Sequence, residues 1–292
     1  MLLPLHDRAS AISRRALLGA MATIAVPRVT RATERAFTIG LLGTREPPEL
    51  ALKTLRRTME RAIARSVAFE VFARGERLVE AAATGRIALS VHTALTYAAA
   101  RTACDCLVPL ARPVTAKGEA GMRAVVIVRR EGAVRRIGDL AGGAILGTAD
   151  ASIPARVARF GLRQQLAGKA PPLHIGVGAR PDMGRFTAGA GDALVGHELI
   201  DRFGQAIAGS GTLGTLGGEG TYAVVWRSAP IWHGPVALHR SREPLIGRLR
   251  EVLLSMPSGG AETIGLGLGR VSMTPARREE YDLLPVLLRA DG

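Results

Sequence analysis

Aromatic residues are scarce: tyrosine, tryptophan and phenylalanine make up 4% of the 292 residues. Cores must therefore be built from alanine, leucine, valine and isoleucine, and 47% hydrophobic content supplies enough of them to exclude a disordered chain. A shortage of aromatics also argues against nucleic-acid binding, which usually needs stacking platforms beside a basic stripe. No run of five basic residues occurs, although the formal net charge is +14. That charge points to small anions or to an arginine-rich solvated surface.

Cysteine is nearly absent as well. Cys104 and Cys106 are the only two, with one residue between them. So short a loop disfavours a structural bridge, and a second pair for a zinc site is missing. Both are expected to act as small buried hydrophobes. Enzyme motifs are missing too. There is no Gly-x-Ser-x-Gly elbow, no phosphate-binding Walker loop and no His-Glu-x-x-His. The expectation is a binding protein that needs no cofactor and no metal.

Long apolar runs are also lacking. The longest near the start is Ala16 to Val26, about half of what a bilayer span needs. It follows Ser13-Arg14-Arg15, and Thr30-Arg31-Ala32 offers a small-x-small cleavage site. Residues 1–32 therefore read as an export signal, resembling the twin-arginine type. An ordinary secretory signal and an uncleaved anchor are the alternatives. The expected destination is the periplasm.

What remains alternates between strand-like and helix-like stretches. Strands are predicted at 36–42, 67–72, 87–91, 107–110, 125–128, 144–147, 173–177, 193–195, 222–226 and 236–238. Helices are predicted at 49–65, 76–84, 94–101, 153–166, 182–188, 197–203 and 245–256, and 209–220 is read as a flexible glycine-rich connection. One more helix is expected in the tail. Alternation of this kind argues for parallel sheets flanked by helices. Two such series predict an α/β protein of two lobes, lobe 1 from 33–112 and 236–292, lobe 2 from 113–235. Ligands of open sheets sit beyond the carboxyl ends of the strands.

Candidate site residues follow from that rule. Thr44 comes after the first strand, and His92 and Thr93 after the third. Thr148, Ala151, Ser152 and Ile153 join a strand to a helix, where free N–H groups and the helix dipole favour an anion. Ser152 could equally be a plain helix cap. His92 could be a donor or a solvated loop residue. Glu198, after Gly196-His197, could accept from a protonated ligand or simply complement a helix start.

The segment Trp226-Arg227-Ser228-Ala229-Pro230-Ile231-Trp232-His233-Gly234-Pro235-Val236-Ala237 resembles a characteristic region of the phosphate/phosphonate-binding proteins of ABC transporters. Arg123 to Arg129 and Ile137-Gly138-Asp139-Leu140-Ala141-Gly142 resemble further stretches of it. The resemblance implies the type II periplasmic-binding fold, with a small oxyanion held between two lobes and handed to an ABC permease. A monomer without nucleic-acid partners is expected. The family's hydroxyl-rich helix start is reduced here to Ala151-Ser152-Ile153, and its His-Asp pair falls near Pro181-Asp182 beside Arg180. Arginines at 45, 74, 123 or 180 could compensate by pairing an anion bidentately. A transport-inactive sensor or accessory protein on the same fold is the competing expectation.

Overall fold

A computed structural model describes residues 36–43, 49–147, 153–166, 173–175, 182–218, 220–256, 264 and 271–285. The first sheet is laid down by β1 (Phe37–Leu42), β2 (Val67–Phe72) and β3 (Leu89–Val91), all parallel. β4 (Leu107–Thr115) leaves this sheet for the second, which begins with β5 (Gly121–Arg129). β6 (Ile145–Gly147), β7 (Leu173–Ile175) and β8 (Ala193–Ile200) form its parallel part. β9 (Tyr222–Arg227) and β10 (Ile231–Trp232) run antiparallel to β5. The chain then returns through β11 (Val236–His239) and β12 (Val271–Pro275) to the first sheet. The strand orders are β12-β4-β11-β3-β1-β2 and β10-β5-β8-β6-β7, with β9 beside β5. Chain segments 116–120 and 233–235 are thus the two crossings between sheets.

The helices are α1 (Glu49–Ile63), α2 (Gly75–Ala83), α3 (Ala94–Ala103), α4 (Ile153–Gln165), α5 (Met183–Thr187), α6 (Gly211–Thr215) and α7 (Ile246–Leu254). In α1, Leu55, Met59 and Ile63 recur every fourth residue and bury one stripe against the first sheet beside Phe37, Ile39 and Leu41. α7 adds Leu249 and Leu253 to the same core. On the other face α2 and the chain after it come so close that a Cβ on Gly40 would stand 2.9 Å from Leu78 Cδ1 of α2 and 2.4 Å from Ile87 Cδ1 ahead of β3. β5 is buried on both faces: Ala124, Val126 and Val128 meet the α4 core, while Val125 and Ile127 meet Phe186, Leu194 and Tyr222. This continuous apolar run is what a central strand requires.

Several expectations are corrected. β8 continues through Ile200 where a helix from His197 to Phe203 was predicted. β10 and β12 were not predicted, and the glycine-rich stretch 209–220 contains α6. Cys104 and Cys106 form a disulfide and are half-buried rather than free and buried. The bridge is reachable because Cys104 leaves α3 in an extended conformation and the chain bends at Asp105. The two Cα atoms then lie 5.2 Å apart, within the usual disulfide range.

The segment after β12 fastens the seam between the sheets. Arg112 of β4 is buried, ion-paired to Glu280, and stacked 3.9 Å from the Trp232 ring of β10. Tyr281 donates its hydroxyl to His233 O at 2.8 Å and meets Tyr97 edge-on at 4.9 Å. Arg101 reaches Asp282 at 2.8 Å, and Arg278 pairs with Asp105 beside the disulfide. Leu284 continues into the α4 core of the second sheet.

Candidate functional site

β3 ends at Val91, and the next residue is fully buried rather than solvated. His92 N donates to Pro235 O of the second crossing at 3.1 Å. Its ring lies 2.7 Å from Ser90 Oγ through Nε2 and 3.3 Å from Thr96 Oγ1 through Nδ1. Ser90 Oγ donates to Ala237 O, so the proton between Ser90 and His92 belongs on Nε2. The imidazole therefore braces the strand end, the crossing and the start of α3. Thr93 is the N-cap of α3: its Oγ1 accepts from Thr96 N, and the Thr96 hydroxyl accepts from Thr93 N. Thr93 is exposed at the carboxyl end of the first sheet.

Desolvation lowers the His92 pKa from 6.5 to about 3. Below pH 6.5 the unfolded chain gains a proton that the folded chain refuses, so stability falls as the pH drops from 6.5 toward 3. The slope from this one group is up to about 1.4 kcal/mol per pH unit. Urea unfolding of the wild type between pH 7 and 4 should show a steeper loss than His92→Gln, whose remaining slope includes His197, His233 and His239, lowered by burial, and, near pH 4, Asp105 and Asp139, lowered by hydrogen bonds. Equal slopes would show that His92 does not stay neutral in the fold.

The second sheet gathers charge at the corresponding end. Arg123 on β5 stands opposite Glu198 on β8, and Val125, two residues on, stands opposite Arg227 on β9. Alternation therefore places all three side chains on the face that carries Val125 and Ile127. Glu198 is buried. Arg227 Nε donates to both of its carboxylate oxygens at 3.1 Å, and Arg123 Nη1 lies 4.0 Å away. Arg123 Nε is buried and lacks a hydrogen-bond partner among the described residues. The cluster lies at the end of the sheet nearest the crossings: Ala120 N donates to Ile200 O, and Trp232 stands opposite Gly121.

Of the residues singled out from sequence, Thr44, Thr148, Ala151, Ser152 and Arg180 lie outside the described residues. Ile153 opens α4, half-buried against the second-sheet core. Glu198 sits in a strand, already engaged by two guanidinium groups, and not at a helix start. Sequence reasoning missed Arg227, although it lies in the Trp226–Ala237 segment. Its role depends on a strand pairing that no local pattern discloses. Arg227, Ser228, Trp226, Gly161 and Gln164 line a cavity of about 200 Å³ between α4 and the end of β9. Among the described residues no group of three or more His, Cys, Asp or Glu is placed to hold a metal ion.

Residues 39–168 match the family model for the phosphonate periplasmic substrate-binding protein of ABC transporters. The match covers 130 of the 292 residues. The match runs from β1 through the first crossing to the end of α4. The description of that family is of a periplasmic substrate-binding protein of an ABC transporter. No curated protein matches it by sequence. Among solved structures, a Xanthomonas citri protein bound to ATP is similar with a TM-score of 0.54 at 13% identity, covering 87% of this chain and 97% of that one. Transferrin 1 from Manduca sexta gives 0.55 at 12% identity, covering 87% of this chain and 46% of that one. PhnD1 from Prochlorococcus marinus in complex with methylphosphonate gives 0.46 at 11% identity, covering 87% and 97%. Likeness at such identities is one of fold, and the fold is the two-lobed type II periplasmic-binding architecture, one sheet to each lobe.

Proposed function

We propose that this chain captures a small oxyanion, phosphate or phosphonate by the family's chemistry, between its lobes and delivers it to an ABC permease of the inner membrane. One observation supports the reading above the others: at the crossing end of the second sheet, Arg123 and Arg227 face the single carboxylate Glu198. That leaves one positive charge uncancelled where an open sheet offers its ligand position. The protein works as a monomer, exported through the twin-arginine signal at Arg14 and Arg15. Lobe 1 comprises 33–112 and 236–292 and lobe 2 comprises 113–235, with Leu283 and Leu284 reaching across to the lobe 2 core. Thr44, Thr93 and the segment from Thr148 through Ala151 and Ser152 to Ile153, with Arg180, complete the site. His92 and Glu198 support it from behind.

Calorimetric titration of the mature protein with phosphate, phosphite, methylphosphonate and sulfate tests this. One site per chain with micromolar affinity or better, about 8 kcal/mol of binding free energy, is the expected result. Silence across the panel would overturn it.

A second reading is a transport-inactive sensor or accessory protein. The buried Arg112–Glu280 pair and the Tyr281 contact favour it, since both tie the tail to the crossings that must flex for lobe closure. It predicts no ligand in the same titration and a stable protein partner instead.

A further inference from the structure

Two guanidinium groups converge on one carboxylate, and the engagement is uneven. Glu198 accepts from Arg227 through Nε at 3.1 Å to each oxygen, whereas Arg123 stays 4.0 Å away. A guanidinium carries five N–H donors in a planar fork. One carboxylate held through a single Nε cannot use up ten donors from two such groups. Arg123 moreover keeps a buried Nε without an acceptor among the described residues. A buried donor of this kind is costly unless something supplies an oxygen.

Access is available. The Arg227 side chain is 43% exposed and that of Arg123 26%, against 8% for Glu198. The carboxylate is thus the inner, dry member of the group and the arginines are its outer members. Low local dielectric strengthens both the attraction that holds Arg227 and the repulsion that an incoming anion would feel from Glu198.

We infer that Arg123 and Arg227 form a clamp for a tetrahedral oxyanion with at least two free oxygens, and that Glu198 is an internal competitor that holds the clamp and tempers its affinity. The inference rests on the oxyanion reading above and deepens it by naming the residues and the sign of each contribution. Forked N–H pairs match adjacent oxygens of a phosphoryl or sulfonyl group, and the uncancelled charge selects an anion. Glu198 thereby takes a role opposite to that of a ligand acceptor. It keeps the arginines aligned and lowers affinity, as suits a carrier that must release its cargo.

The test uses the full mature protein and titration with phosphate, methylphosphonate and sulfate. Arg123→Gln and Arg227→Gln should each weaken binding about tenfold to a hundredfold, as loss of a charge-assisted hydrogen bond does. Arg227→Lys should fall between, keeping charge and losing the fork. Glu198→Gln should strengthen binding severalfold. Arg185→Gln, an exposed arginine paired with Asp182, should change nothing. Ligand-free melting of every variant separates loss of binding from loss of fold. Wild-type binding that survives unaltered in both arginine variants overturns the clamp and leaves the oxyanion reading standing. Weaker binding by Glu198→Gln, with its fold intact, overturns the competitor role and points to a ligand that carries a cation. No binding by the wild type to any probe overturns the oxyanion reading and the clamp together.

Discussion

Gly234→Ala should fail to accumulate as soluble protein, or should lose about 3 kcal/mol or more of stability, the upper range for a core substitution with nowhere to relax. A Cβ at Gly234 would stand 2.0 Å from His92 O, 2.3 Å from Thr93 C and 2.5 Å from Thr93 Cα. All three are backbone atoms, so no side-chain rotation makes room. The second crossing would be forced away from the end of β3, breaking the His92 N to Pro235 O bond and displacing the cap of α3. Whatever fraction folds should bind oxyanions poorly, because Thr93 and the crossing move together. Urea unfolding and soluble yield check this against Gly138→Ala, where nothing lies within 4 Å of the added methyl. A Gly234→Ala protein as stable as the Gly138 control would mean that the crossing and α3 do not touch in this way.

Glu280→Ala should be nearly as damaging, for an electrostatic reason. The Arg112 side chain is 3% exposed and that of Glu280 21%, so the ion pair is largely dry. Removing the carboxylate leaves Arg112 charged, with its Nε lacking a hydrogen-bond partner among the described residues and the Trp232 ring and Tyr281 hydroxyl left to compensate. Breaking such a pair from one side costs about 3–5 kcal/mol. For a domain of this size each kcal/mol lowers the melting temperature by about 2–4 °C. A fall of about 6–20 °C is therefore expected in differential scanning calorimetry. Replacing both partners, Arg112→Met with Glu280→Leu, should recover much of the loss, since no buried charge then remains. A single variant that melts within about 1 °C of the wild type would show that water reaches Arg112 freely, against the low cost expected only of exposed pairs.

The residues that carry the candidate site were legible to different degrees. Thr93 was readable as a helix start because Ala94 begins a helical stretch and Thr is a good cap. Ile153 was readable for the same kind of reason, after a short apolar strand. His92 was placed correctly in the chain but not in space: polar neighbours suggested a loop, while Ser90, Thr96 and Pro235 enclose it. Glu198 was misread because Gly196-His197-Glu198 has a polar look that suits a helix start. A strand can carry a buried glutamate there only because Arg123 arrives from the adjacent β5 and Arg227 from β9 on the far side of β5. Those partners stand 75 residues before it and 29 after it, beyond the reach of any local pattern.

β12 shows a related failure. Val271, Ser272 and Met273 do alternate buried and exposed, but five residues ending in proline make a weak strand signal. Pairing along β4, from Val271 opposite Thr115 to Pro275 opposite Ala111, makes it a strand. A bridge between Cys104 and Cys106 was disfavoured on spacing alone. The bend at Asp105, between the end of α3 and the start of β4, brings them together.

By itself, the sequence determined the alternation of strands and helices, the location of most helix starts and the resemblance to a family of binding proteins. These depend on apolar periodicity and capping chemistry over a few consecutive residues. The tertiary structure alone decided that Glu198 is a counter-charge for two arginines, that His92 is a brace, and that Glu280 and Tyr281 tie the tail to the crossings. Each of those roles needs a desolvated partner from a distant part of the chain, and burial is a property of the assembled fold rather than of any segment.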